Sequence, residues 1–336
     1  MNVSTARRPL DAGALEQLLS AAAAAPSIHN TQPWRYRLRP ETATLEVRAV
    51  PERALRATDP SGRALHVSIG ASLFNLRVAA RHLGWEPAVR LLADPSEPQL
   101  LATVRLAESR GTGAGAGPDL FDAIWRRHSS RLPFTPRTVP TGIIAELAEA
   151  AHVEGAVFEV AGEAAVRRML GLTAEAERRT LADPSRGQES RHWLLRAETG
   201  PYGIPAAALG PQDAFERIPV RDFTAERYAA RLPAAPFEPH PLIAVLSTAH
   251  DSRVDWLRAG QALQYVLLLA TVHQLRSSLL HQAMEWPDLR TSLRDPRRGH
   301  GHVQLLIRLG YGPEGAPSPR GACELSIAAS QQPSSP

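Results

Sequence analysis

The 336-residue chain carries 38 basic residues, every one an arginine, against 34 acidic ones, for a net charge of +4. With no lysine there is no Schiff-base lysine and no Walker A motif, and the single cysteine, Cys323, excludes an internal disulfide and a Cys-rich zinc site. Its arginines are interspersed with acidic residues rather than gathered into a stripe, so a nucleic-acid partner is not expected. The longest apolar stretch, residues 263–272, is interrupted by Gln264 and falls well short of the ~20 residues of a membrane span. The stretch after Arg7 and Arg8 contains Glu16 and Gln17, too polar for a secretory core, so a cytoplasmic protein is expected.

Residues 14–25 place Leu15, Leu18, Leu19 and Ala22 at helical spacing, and Pro26 stops the helix. Residues 34–38 and 44–50 alternate as strands do, residues 65–83 read as a helix, and residues 88–92 and 101–106 as further strands. Residues 110–118, RGTGAGAGP, hold four glycines and almost nothing that packs. They read as a flexible linker (residues 111–118) between halves spanning 1–110 and 119–330. Their G-x-G-x-G-x-G spacing departs from the phosphate-binding G-x-G-x-x-G. Beyond the linker come a short helix at 119–127, a helix at 143–151 and a strand at Val157–Val160. An Arg/Glu-rich amphipathic helix at Glu163–Ala182 follows, then an apolar strand at Leu242–Thr248, a long helix at 256–275 and a last strand at 303–309.

The order of elements repeats. Placing Gly70 on Gly260 also superposes Leu73 on Leu263 and Ala80 on Ala270, a stripe suited to close helix packing. From the first helix to the long one the spacing is 55 residues in the first half (Leu18 to Leu73) and 116 in the second (Leu147 to Leu263). The second half therefore carries an insertion of roughly sixty residues within about 162–241, the size of a lid, a binding loop or a surface excursion.

Two short motifs carry the chemistry. APSIHNTQPW (residues 25–34) supplies Ser27, His29, Asn30, Thr31 and Gln32 between a helix stop and a strand. By composition alone it is also an ordinary polar turn. RRHSSRLPF (residues 126–134) places Arg127, His128, Ser129 and Arg131 just past a helix C-terminus. The helix dipole disfavours an anion there, so anion binding would rest on the guanidinium forks and the serine hydroxyl.

Together the motifs resemble the P-S-S-x-N-x-Q-P-W and R-x-S-x-R/K signatures of FMN-dependent nitroreductases, most closely the two-lobed Acg-like branch. Asp59-Pro60-Ser61-Gly62-Arg63, Trp256-Leu257-Arg258-Ala259-Gly260 and Arg308-Leu309-Gly310-Tyr311-Gly312 extend the likeness over nearly the whole chain. The resemblance implies an α+β fold of mixed, mainly antiparallel sheets flanked by helices and internally duplicated, as if a nitroreductase dimer were fused into one polypeptide. In the homodimers each motif reaches a shared FMN from a different subunit. Here the resemblance implies one FMN per chain between the lobes, with a monomer sufficient and a homodimer compatible. Carried over, Arg127, Ser129 and Arg320 (after Pro317-Ser318-Pro319) would hold the phosphate and ribityl end, with His128 beside them. Arg131 would reach the pyrimidine edge, and Ser27, Asn30 and Gln32 would approach from the other half.

The resemblance implies a ping-pong oxidoreductase in which NAD(P)H reduces the flavin and a small-molecule acceptor (nitroaromatic, quinone or flavin) reoxidises it. No side-chain acid or base is obligatory. The alternative is an FMN-sequestering protein with a lidded site and little turnover. His300-Gly301-His302 lacks further metal ligands, the pair His250 and Asp251 lacks a nucleophile motif, and Cys323 has only Arg320 as a basic neighbour. None is assigned a role.

Overall fold

A computed structural model describes residues 10–108, 119–224, 233–294 and 301–328; the proposed linker at 111–118 and His300 lie outside them. The first lobe begins with α1 (Ala12–Ala23), started by the Asp11 carboxylate, which accepts the Ala14 N–H at 2.7 Å. Strands β1 (Trp34–Arg39) and β2 (Thr44–Ala49), helix α2 (Arg63–His82), and strands β3 (Trp85–Leu91) and β4 (Leu100–Glu108) follow. After the short α3 (Phe121–Arg126), the second lobe runs α4 (Thr141–Val153), β5 (Val157–Val160), α5 (Glu163–Ala182) and α6 (Pro184–Thr199). Two-residue strands β6 (Gln212–Asp213) and β7 (Ala234–Ala235) precede β8 (Leu242–Thr248), α7 (Arg253–Val272) and β9 (Arg276–Leu280). The chain closes with α8 (Pro287–Ser292), β10 (His302–Gly310) and β11 (Leu325–Ile327).

Both lobes are built on one plan. The first sheet orders its strands β1-β2-β4-β3 and the second β5-β8-β10-β9, every one of these pairs antiparallel. Each sheet therefore reads first, second, fourth, third, with a 20-residue helix between its second and third strands. Strand β11 adds to the first sheet in parallel with β1, so the C-terminal segment of the second lobe crosses to the first.

The two long helices cross at the glycines that the sequence aligned. A Cβ on Gly70 would lie 2.2 Å from the Leu257 carbonyl oxygen, and one on Gly260 would lie 2.1 Å from that of Val67. Only hydrogen at both positions permits this approach. Apolar side chains cross with them: Leu257 and Leu268 of α7 join the first lobe's core, and Val67 of α2 joins the second's. Gln264 donates to Asn75 at 2.7 Å across the buried seam.

Some elements differ from the sequence reading. The long helix stops at Val272 rather than 275. Gln274 takes a left-handed φ of 60°, reversing the chain so that residues 276–280 form β9 instead. Helix α6 was not expected, because its polar composition hides any stripe. Its start was nevertheless encoded: Asp183 accepts the N–H groups of Ser185 (2.9 Å) and Arg186 (3.2 Å), with Pro184 in the first turn. Among the described residues no helix is long and apolar enough to cross a membrane.

Candidate functional site

Where α2 and α7 cross, the lobes enclose a cavity of about 1250 Å³ including its open mouth. The first motif forms one wall. Ser27 Oγ accepts the Gln32 N–H at 2.9 Å, and Ile28 N–H donates to Ser68 Oγ on α2 at 3.1 Å. That turn drives three non-glycine residues into left-handed conformations: His29 (φ 48°), Asn30 (φ 53°) and Gln32 (φ 48°). Such backbone is costly and persists only where its surroundings hold it.

The second motif forms the facing wall. Past α3 it lies along the edge of β9, Ser129 pairing with Ser277 and the Ser130 N–H donating to the Ser277 carbonyl at 2.8 Å. Gly315 packs on it so closely that a Cβ would sit 2.1 Å from the Ser129 carbonyl oxygen. The crossing C-terminal segment then joins the walls, with Arg320 Nη1 donating to Asn30 Oδ1 at 2.9 Å.

Seven of the eight residues singled out in the sequence line this cavity: Ser27, Asn30, Arg127, His128, Ser129, Arg131 and Arg320. Gln32 does not. Its amide donates to the Pro201 carbonyl at 2.7 Å and accepts the Gly321 N–H at 2.9 Å, tying the insertion to the C-terminal segment. Asn30 shares that duty, donating to the Gly203 carbonyl at 2.8 Å and the Pro319 carbonyl at 3.0 Å.

The electrostatics are lopsided. Arg127 is 4% exposed, and its Nε and Nη1 find no partner among the described residues. Burial, and then the neighbouring Arg320, push its pKa down to about 9. Burial brings Arg320 down to about 10, and its Nε is likewise unpartnered. Arg131 falls to about 10 through burial and then Arg221; it donates to the Ala208 carbonyl at 2.6 Å and stacks 5.0 Å over Phe223. Burial, followed by Arg127 and Arg320, also lowers the pKa of half-buried His128. Other arginines on the same walls are neutralised: Glu238 grips Arg308 with both oxygens (2.5 and 2.6 Å), and Glu285 meets Arg221 at 2.6 Å. Buried cations without counter-charges are costly, so an anion at the Arg127–Arg320 corner would relieve that cost. Ala64, Val67, Leu263 and Leu305 line the cavity with apolar surface, so it joins apolar walls to a cationic corner.

The insertion closes part of the cavity with Ile204, Ile218, Val220, Arg221 and Phe223. Asp213 organises it. Although burial pushes the Asp213 pKa up, backbone N–H groups of Phe215, Ile218, Phe237 and Arg217 hold it below the usual carboxylate range. Sequence reasoning assigned no role to Arg221, Phe223, His281 or Glu285, which no spacing links to either motif. Asp251 is engaged by Arg290 (2.7 and 2.9 Å) and the Trp256 indole (2.6 Å), a fixed surface cluster. Burial raises the Cys323 thiol to about 12, and Sγ donates to the Leu19 carbonyl at 3.2 Å.

A two-lobed α+β architecture with cation-walled space at the lobe junction defines a class of ligand-binding proteins, and similarity narrows it. No family model matches the chain. The Mycobacterium tuberculosis protein Rv3131, whose name assigns it provisionally to the NAD(P)H nitroreductases, is 34% identical over 315 residues, covering 92% of this chain and 90% of its own. Rv3127 of the same organism, an uncharacterised protein, is 30% identical over 317 residues (91% and 90%). The mycobacterial protein acg, provisionally named as Rv3131 is, is 28% identical over 301 residues (89% of each). A crystal structure from Anabaena variabilis, titled a nitroreductase on the same provisional footing, shares the fold with TM-score 0.52 and 12% identity over 90% of this chain and 88% of its own. The chain belongs to the NAD(P)H nitroreductase family, in its Acg-like branch.

Proposed function

We propose that this protein binds one FMN in the cavity between its lobes and acts as an NAD(P)H-dependent oxidoreductase. The observation that carries the reading is the Arg127 guanidinium, buried beside Arg320 with two nitrogens unpartnered and, among the described residues, no carboxylate paired with either arginine. A phosphate monoester answers that demand, accepting bidentate hydrogen bonds from arginine. Arg127, Ser129 and Arg320 would hold the phosphate end, with His128 beside them. Arg131, Ser27 and Asn30 border the space left for the planar ring. Gln32 would act indirectly, by fixing the C-terminal segment that carries Arg320. When bound, FMN supplies electron transfer between NAD(P)H and a small acceptor such as a nitroaromatic, a quinone or a free flavin.

Because both motifs lie on one chain, a monomer suffices. The insertion at about residues 162–241 is the lid of this site: Phe223 and Ile218 wall the cavity, and Pro201 and Gly203 are fastened to the first motif. That fastening also favours a second reading, an FMN-sequestering protein with little turnover. Anaerobic titration of the FMN-loaded protein with NADPH decides between them. Bleaching of the flavin band, with recovery on adding a quinone or nitroaromatic, supports the oxidoreductase. A yellow protein that NADPH leaves oxidised supports sequestration, and a protein that takes up no FMN refutes both.

A further inference from the structure

Three histidines near the lobe junction each meet an arginine through Nε2. His29 faces Arg221 Nη1 at 2.8 Å, His66 faces Arg253 Nε at 2.9 Å, and His281 faces Arg63 Nη2 at 2.9 Å. A guanidinium only donates, so each Nε2 accepts, and each ring is neutral with its proton on Nδ1. Protonating any of them would set N–H against N–H. His66 donates Nδ1–H to the Gly62 carbonyl at 2.6 Å, and His281 donates to Glu285 Oε1 at 3.0 Å. His29 breaks the pattern. Its Nδ1 is buried without a partner among the described residues, and the residue is one of those lining the cavity.

Everything else about His29 is fixed. Glu285 holds Arg221 at 2.6 Å, and Phe223 meets the imidazole edge-on with ring centroids 5.2 Å apart. The charged or titratable groups felt by the ring are Arg221 from the insertion, Glu285 and His281 from the turn after β9, and Arg131 from the second motif. Burial first and Arg221 second bring its pKa down to about 3, consistent with the neutral tautomer. A strained backbone, a locked tautomer and an unused buried donor converge on one side chain, and an unmet donor is costly until a ligand takes it.

We propose that His29 offers its Nδ1–H to an sp² oxygen of the planar ligand in this cavity, with Arg221 and Glu285 as positioning residues that fix the tautomer. The proposal rests on the FMN reading above. The oxygen belongs either to the flavin ring or to the nitro or quinone group of the acceptor, and one set of measurements separates the two. FMN affinity is measured by fluorescence quenching for wild type, His29→Leu and His29→Asn. The preference of the oxidised, FMN-loaded proteins for nitrobenzene over toluene is measured from flavin absorbance without NADPH. Asn tolerates left-handed backbone and restores a donor near the Nδ1 position.

His29→Leu loses roughly tenfold in one of the two quantities and His29→Asn recovers most of it. Loss of FMN affinity assigns the contact to the flavin; loss of the nitrobenzene preference assigns it to the acceptor. Arg221→Gln removes the charge that, after burial, does most to hold the imidazole neutral, so any pH dependence of the same quantity moves to higher pH than in wild type. Independently of any variant, the His29 Nδ1 resonance of ¹⁵N-histidine-labelled wild type shifts on ligand addition. Both quantities within twofold of wild type in folded His29→Leu, or an unmoved resonance, overturn the proposal while leaving FMN binding intact. A wild type that takes up no FMN sinks the underlying reading instead.

Discussion

Arg127 and Arg308 stand on the same cavity and predict opposite outcomes. Arg308 is neutralised by Glu238, so Arg308→Met strands a buried carboxylate and should cost about 3–5 kcal/mol of stability, read as a lowered melting temperature. Arg127 has no such partner among the described residues, so Arg127→Met removes an uncompensated charge. The ligand-free protein should melt at the same temperature or higher, while FMN affinity falls about a hundredfold, near 3 kcal/mol. A drop in ligand-free stability matching that of Arg308→Met would mean that Arg127 has a structural partner. At this scale the sequence was legible where the chemistry was contiguous. RHSSR and SIHN bring their residues to the cavity as short runs on one turn each. Arg221 and Glu285 reach His29 from 192 and 256 positions away, a relation only the fold creates. Gln32 was recognisable as part of a motif, but its engagement with Pro201 and Gly321 depends on segments about 170 and 290 residues distant.

The α2–α7 crossing shows what a repeated sequence stripe does physically. Gly70 and Gly260 were alignable because both helices need the same absent side chain at the same contact. Gly70→Ala would thrust a Cβ to 2.2 Å from a backbone oxygen, so the helices must separate, at a cost of at least about 1–3 kcal/mol. Gly171 of α5 provides the control: it is exposed with nothing within 4 Å of a Cβ, and Gly171→Ala should stabilise by about 0.5–1 kcal/mol. Thermal melts of the two variants should move in opposite directions, and equal shifts would deny the close crossing. Periodicity located most long elements to within a few residues. It failed where polar local geometry decides, as at the left-handed Gln274 that separates α7 from β9 and at the Asp183 cap that begins α6.

Two lobes share one junction, and its buried rings couple stability to pH. Burial, with a nearby arginine, holds His29 to about 3, His66 to about 4 and His281 to about 4, all below the unfolded value of 6.5. Below that value the unfolded chain takes up protons that the folded one refuses, so folding loses stability as pH falls from 6.5 toward 4. Asp59, raised to about 6 by burial, works the other way, favouring the fold below 3.8 and losing that contribution as pH rises to 6. Glu177, also raised by burial, acts with Asp59, whereas His128 and His302, both lowered by burial, act with the three rings, so the melting temperature should decline as pH falls from 6.5 to 4; a flat profile there would contradict the neutral, arginine-facing rings. In the proposed function, the shared junction lets one chain hold one ligand. Equilibrium titration of the purified protein with FMN, followed by flavin fluorescence alongside a mass measurement in solution, tests this most directly. Saturation is expected at one FMN per chain, without any requirement for a dimer, with that binding lost in Arg127→Met. Absence of uptake, or half-occupancy confined to a dimer, would contradict it.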